Sequence, residues 1–358
     1  MTFCRKRLIL LSCLVFVGIV PKDHLSGTQA DEPLLETTST LSAGDTFSAT
    51  DSLKVAETES GDAAECLQGL RWEPTEFLVT LEQPRRGFGQ WLVRFPSPRP
   101  QGDAEGDNVA LEWYATKNDS GEVQTAPAVV VVHESGRNMA VGRLIARGLA
   151  GMGVHAFLIQ LPGYGVRGQP IADDPQKFLG ALQQAVADVR RARDAIAVLP
   201  HVDQERIGLQ GTSLGGFVTA TVCGLDHSYH RQFIFLAGGN LHEVVLQGQR
   251  DAAKVRERLR AAGLSDEQII ALARPVEPLR LAHRVNANIT WLYSGIHDDV
   301  VPPSCCQAWA DAAQLAESHH IQMPVDHYSG VTYLPKILGE IVAIMLASPE
   351  SWKLPNQP

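Results

Sequence analysis

Arg206-Ile207-Gly208-Leu209-Gln210-Gly211-Thr212-Ser213-Leu214-Gly215-Gly216 decides how this chain is read. Arg206 to Gln210 is short, apolar at its centre and bounded by glycine, as a buried strand requires. Ser213 to Gly224 carries apolar residues at helical spacing. Between them lies G-x-S-x-G. At a sharp strand-to-helix turn the serine hydroxyl is held at a helix N-terminus, where backbone amides and the helix dipole favour negative charge. Small neighbours let strand and helix approach closely. A glycine-rich connection without chemistry is the plain alternative, and the strand before and helix after argue against it.

Working outward, apolar runs alternate with helical stretches. Ala128 to Val132 is an unbroken apolar run, as expected of a strand buried on both faces. A helical pattern follows from Ala140 to Met152, a strand pattern from Val154 to Leu161, and a long helical stretch from Pro175 to Leu199. Gln232 to Ala237, Ile289 to Tyr293 and Ile321 to Val325 close the series. Such alternation predicts an α/β fold with a mainly parallel central sheet and helices on both faces. Phe77 to Leu81, Gln90 to Phe95 and Val109 to Ala115 read as its antiparallel start. Only helix signals occur between Gly239 and Asn286, including a capping box at Ser265 to Gln268. A helical cap insertion over about 239–286 is expected, inside a catalytic domain spanning 66–348. Residues 31–65 are rich in Thr, Ser, Asp and Glu and read as a flexible linker; 349–358 reads as a C-terminal tail.

A serine hydroxyl is too weakly acidic to attack unaided and needs a base within hydrogen-bond reach. Of the 12 histidines, His155 and His319 are expected in strands, His201 at a helix end, and His242 and His283 beside the cap. His327 differs. Asp326-His327-Tyr328-Ser329-Gly330 is a short loop after the last strand, on the carboxyl edge of the sheet where ligands bind in open α/β folds. The orienting acid should follow a strand between serine and histidine. Gly295-Ile296-His297-Asp298-Asp299-Val300-Val301-Pro302 offers Asp298 and Asp299; adjacent side chains diverge, so one of them can face the histidine. The order Ser, Asp, His is then Ser213, Asp298 or Asp299, His327.

The remaining features bound the partners. A formal charge of −9 with no dense basic run argues against nucleic acid. Arg5, Lys6 and Arg7 precede an apolar stretch, Leu8 to Val20, shorter than the roughly 20 residues of a membrane-spanning helix. This reads as a signal peptide over 1–30, with export and no stable membrane span after cleavage; an uncleaved anchor is the alternative. Cys66, Cys223, Cys305 and Cys306 lack the C-x-x-C spacing of a metal site, and either a disulfide or buried thiols fits them. Gly163-Tyr164-Gly165-Val166-Arg167-Gly168 satisfies G-x-G-x-x-G, but Pro170 and Asp173 to Pro175 delay the next helix. It reads as a loop bordering the pocket, with Tyr164 or Arg167 near substrate. His319 and His320, adjacent on a strand, would face opposite sides and could not share a metal. No cofactor and no metal are expected.

Val202-Asp203 through Arg206-Ile207-Gly208-Leu209, then Gly211 to Gly216, resembles the α/β-hydrolase superfamily, and most of all its dienelactone hydrolase, acetyl-xylan esterase and acyl-peptidase branches. The similarity extends over about Ala128 to Leu346. Gly295 to Pro302 resembles the acid loop of that family, whose aspartate falls three residues after the glycine, which implies Asp298 rather than Asp299. His133-Glu134-Ser135-Gly136 is similar to the His-Glu loop of dienelactone hydrolases, although the nucleophile here is a serine and Asp326 stands where a glycine commonly precedes the histidine. The resemblance implies a serine hydrolase forming an acyl-enzyme, most simply on a small-molecule or carbohydrate ester. Its oxyanion donors would be the amides of Leu214 and Ser135, with Glu134 and Tyr164 near substrate. Acyl-peptidases of this kind carry several hundred further residues ahead of the hydrolase part.

Overall fold

The structure is a computed structural model that describes residues 41–58, 60–168 and 174–347. The signal peptide read at 1–30, the start of the linker, Pro170 and Asp173 of the glycine-rich loop, and the tail at 349–358 lie outside the described residues.

Among the described residues ten strands form one sheet: β1 (Thr46–Thr50), β2 (Glu76–Glu82), β3 (Trp91–Pro96), β4 (Asn108–Tyr114), β5 (Ala126–Val132), β6 (His155–Gln160), β7 (Val202–Thr212), β8 (Arg231–Phe235), β9 (Thr290–Gly295) and β10 (His320–Met323). Their spatial order is β1-β2-β3-β4-β6-β5-β7-β8-β9-β10. β1 to β4 pair antiparallel, as does β4 with β6. From β6 onward every pairing is parallel. The helices are α1 (Gly61–Gln68), α2 (Ala140–Gly151), α3 (Pro175–Ala197), α4 (Leu214–Cys223), α5 (Leu241–Gln247), α6 (Asp251–Ala261), α7 (Asp266–Ala273), α8 (Pro303–Ala312) and α9 (Leu334–Leu346).

β5 shows why the sheet is central. All seven of its residues are buried. Val129 and Val131 enter a core with Ile145 and Leu149 of α2 and Ile337 and Ile341 of α9. Val130 and Val132 enter another with Val186 and Val189 of α3 and Val218 of α4. Successive side chains alternate sides, so helices must cover both faces. This is the α/β-hydrolase arrangement. Residues 241–284 contain helical segments and no strand: α5, α6, α7, and short 3-10 turns at Arg274–Val276 and Pro278–Arg284. Ser265 and Gln268 reciprocally cap α7, with Gln268 N–H donating to Ser265 Oγ at 3.3 Å and Ser265 N–H to Gln268 Oε1 at 2.8 Å.

Residues 31–65 do not behave throughout as a flexible linker. Thr46–Thr50 is an edge strand on β2, and Ser60 caps α1 by accepting from the Ala63 amide. Polar composition misleads here because the polar groups are claimed by buried partners. Asp51 pairs with Arg191 of α3 and accepts from the Trp72 indole at 3.0 Å. Ser52 donates through both amide and hydroxyl to Asp194, at 2.8 and 2.7 Å. His319 lies in a 3-10 turn, Glu317–His319, rather than on a strand. Cys66, Cys223, Cys305 and Cys306 are buried free thiols, and burial pushes those of Cys66 and Cys305 up to about 12.

Candidate active site

Ser213 stands between β7 and α4 with φ 53° and ψ −116°, a left-handed φ unusual for a residue with a side chain. Its neighbours explain how the turn tolerates this. A Cβ on Gly211 would lie 2.2 Å from the Gly215 carbonyl oxygen, and one on Gly215 would lie 2.3 Å from that of Val132. Only glycine lets strand, turn and helix close so tightly. The Ser213 amide donates to Phe235 O at 2.9 Å and the Gly215 amide to His133 O at 3.1 Å, fixing the turn to both neighbouring strands. Leu214 opens α4, so its amide has no intrahelical acceptor.

Three expected residues meet at this turn. Ser213 Oγ lies 2.9 Å from His327 Nε2, and His327 Nδ1 lies 2.7 Å from Asp298 Oδ2. With the proton on Nδ1, the ring donates to Asp298 and accepts from the serine hydroxyl. Asp298 is buried, and its other oxygen accepts from the amides of Val300 and Val301 at 2.9 and 2.8 Å. Asp299 points elsewhere and pairs with Arg250 at 3.0 Å.

Asp326 builds the turn that presents His327. Its Oδ1 accepts from the amides of Tyr328 and Ser329 and from the Ser329 hydroxyl. These donors, Ser329 foremost, hold its carboxyl below the ordinary aspartate range. Tyr328 reaches the cap, donating its hydroxyl to Asp251 at 2.8 Å, while the Arg250 guanidinium sits 5.1 Å over its ring. The Tyr328 phenol is pushed up to about 12 by burial and by the Asp251 carboxylate. This clasp between cap and histidine loop is hard to see in the sequence. The aromatic residue directly after His327 was its local signal; the matching Asp251, far off in sequence, had none.

The loop after β5 is braced from below. The buried His133 accepts from the Leu161 amide through Nε2 at 3.1 Å, and its Nδ1 lies 2.6 Å from Glu134 O. Burial holds it neutral, down to about 4. Its ring packs against Tyr164 at 4.5 Å between centroids, and the Tyr164 hydroxyl donates to Ser135 O at 3.1 Å. Two charged residues expected near substrate prove to hold helices. Glu134 borders the cavity at Ser213, and its carboxylate caps α2, accepting from the Val141 and Gly142 amides at 3.1 and 3.0 Å. Arg167 is fully buried, donating to Gly106 O and Gln160 O and pairing with Asp188 at 2.6 Å. It locks the glycine-rich loop to α3 because its guanidinium needs acceptors wherever it is buried.

Two cavities meet at Ser213 and Ser135. One, of about 310 Å³, is bordered by Glu134, His327, Tyr328 and Val331. The other, of about 170 Å³, runs beneath the cap between α3, α4 and α5 to α7.

Residues 143–330 match the model of the prolyl oligopeptidase family, just over half the chain. The chain belongs to that family. With its fold, this membership makes it a serine hydrolase of the α/β-hydrolase superfamily. Similar solved structures include an acetyl xylan esterase from Paenibacillus sp. R4, at 18% identity and TM-score 0.58, covering 81% of this chain and 96% of that one. The acetyl xylan esterase 1 of Thermoanaerobacterium sp. JW/SL YS485 gives 14% identity and TM-score 0.55 over 80% and 93%. A puromycin-hydrolyzing peptidase of Mycobacterium tuberculosis gives 17% and TM-score 0.52, over 75% of this chain and 45% of that one. At such identities the likeness is one of fold. No curated protein matches.

Proposed function

We propose that this prolyl oligopeptidase family member is an exported carboxylic-ester hydrolase working through an acyl-enzyme. The observation that carries it is the Ser213–His327–Asp298 relay, at 2.9 and 2.7 Å. Ser213 Oγ attacks the ester carbonyl carbon as its proton passes to His327 Nε2. Asp298 orients the ring and stabilises the imidazolium. The amides of Leu214 and Ser135 receive the developing oxyanion, and losing such a donor costs about 10²–10³ in rate. The intermediate collapses, re-forming the carbonyl and breaking the bond from its carbon to the alkoxy oxygen, and His327 gives its proton to the departing alcohol. Water, activated by the same histidine, then releases the acid. No step calls for a cofactor.

A fluorophosphonate probe should label wild-type protein at Ser213 and leave Ser213→Ala unlabelled, with hydrolysis of activated esters lost by several orders of magnitude. Folded wild-type protein that resists the probe and cleaves no activated ester would favour a binding role on a hydrolase fold. The family membership favours a second reading, cleavage of blocked peptides. It gains if kcat/KM for an N-acyl peptide bond exceeds that for the matching ester.

Export rests on Arg5 to Arg7 and the apolar run Leu8 to Val20. Mature protein should begin between about Gly27 and Asp31. Soluble cytoplasmic protein with Met1 or Thr2 intact overturns this part.

A further inference from the structure

The two cavities at Ser213 are not equivalent, and their difference points to the acid half of the substrate. His327 borders the 310 Å³ cavity and not the 170 Å³ one. Since the histidine must protonate the departing alcohol, the alcohol belongs on its side. The acyl substituent, on the opposite side of the carbonyl carbon, is then directed beneath the cap.

That cavity is walled by Leu182 and Val186 of α3, Phe217 of α4, and Val244, Val255 and Ile269 of the cap helices. Among the described residues, the polar side chains that reach it, apart from the two serines at its mouth, are already engaged. Thr221 donates its hydroxyl to Phe217 O at 2.9 Å. Asp251 accepts from Tyr328 and Lys254. A hydroxylated or charged acyl group would bury polar atoms without partners, which is strongly unfavourable. An apolar one meets complementary walls. The size is also informative. An apolar cavity of about 150 Å³ holds one benzene, so 170 Å³ matches a six-carbon chain or a phenyl ring. An acetyl group would leave most of it empty.

We propose that the cavity beneath the cap is an acyl-binding site for apolar acids of about six to eight carbons, or an aryl ring, and that acetyl esters are poor substrates. The inference rests on the acyl-enzyme reading above and adds the class of acid. Each methylene that enters the cavity should raise kcat/KM about three- to fourfold, so hexanoate should exceed acetate by about 10².

The test is the kcat/KM of wild-type enzyme on p-nitrophenyl acetate, butyrate, hexanoate and benzoate, with the same series on Val255→Phe and Ala273→Phe. Both substitutions add bulk from partly buried cap positions that line the cavity. The expected result is a hexanoate-to-acetate ratio near 10² that falls at least tenfold in each folded variant. A wild-type preference for acetate overturns the proposal even if both variants fail to fold. So does a ratio unchanged in a folded variant. Failure of the underlying reading looks different: no ester of any length is cleaved and the probe does not label Ser213.

Discussion

Replacing Asp298 by asparagine tests the geometry of the site more sharply than removing the serine. Asp298 Oδ1 accepts from two backbone amides, Val300 and Val301, at 2.9 and 2.8 Å. An asparagine must keep its carbonyl oxygen there, because an NH₂ group would face two donors. Its NH₂ therefore falls on the His327 side, where Oδ2 now accepts at 2.7 Å. Donation from that NH₂ to Nδ1 forces the ring proton onto Nε2, the nitrogen that must take the proton of Ser213. The side chain stays isosteric and packed, so stability should change little while kcat falls by about 10⁴, or about 5 kcal/mol of transition-state stabilisation. Asp299→Asn is the control. It removes a partly exposed pair with Arg250, a contribution of less than about 1 kcal/mol, and turnover should stay within a few-fold. The assay is steady-state hydrolysis of an activated ester, with thermal unfolding to confirm folding. A folded Asp298→Asn enzyme within tenfold of wild type, or a larger loss in Asp299→Asn, would refute the reasoning.

Other consequences can be measured on stability. Gly215→Ala would bring a Cβ within 2.3 Å of backbone and should leave little soluble folded protein. Gly339→Ala, in open space on α9, should gain about 0.4–1 kcal/mol in chemical denaturation. Arg167→Met strands the buried Asp188 carboxylate and should cost about 3–5 kcal/mol by the same measurement. His133 and His155 are held neutral by burial, each down to about 4 against a normal 6.5. The unfolded chain therefore binds more protons between those values. Stability should be full above pH 6.5 and fall towards pH 4 by up to about 3 kcal/mol for each; denaturation midpoints equal at pH 7 and pH 5 would contradict this.

Periodicity made the parallel half of the molecule legible because strands buried on both faces cannot hide their composition. Ala126–Val132 is apolar at every position, and the strand-turn-helix around Ser213 is written in adjacent residues. The same local signal placed His327 in a short loop on the correct sheet edge. Spacing alone left Asp298 and Asp299 open, since both follow β9; the Val300 and Val301 amides and Arg250 separate them in three dimensions. Local pattern is a poorer guide where polar residues are satisfied by distant partners. Thr46–Thr50 and Asp51 look like linker until Arg191 and Asp194 are known to face them. Glu134 and Arg167 sit in loops beside the site and carry charges, the usual marks of substrate contact. Their charges are consumed in holding α2 and α3, and no local pattern distinguishes those uses.

The polar docking of the N-terminal segment also bears on the order in which this protein can assemble. Asp51 waits for Arg191, 140 residues downstream, and Ser52 for Asp194, 142 residues downstream. At a synthesis rate of roughly 5–20 residues per second, that interval is about 7 to 30 s. Through it, β1 can pair with β2 and Asp51 can accept from the Trp72 indole and the Thr75 amide, while the guanidinium of Arg191 and the carboxylate of Asp194 are still to come. Phe47, Ala49 and Val55 pack on the core as well, and the neighbouring charged and polar groups offset their exposure during that interval. Charge therefore keeps this stretch soluble while it is unattached, and α3 converts the same charge into an anchor once its own residues are made.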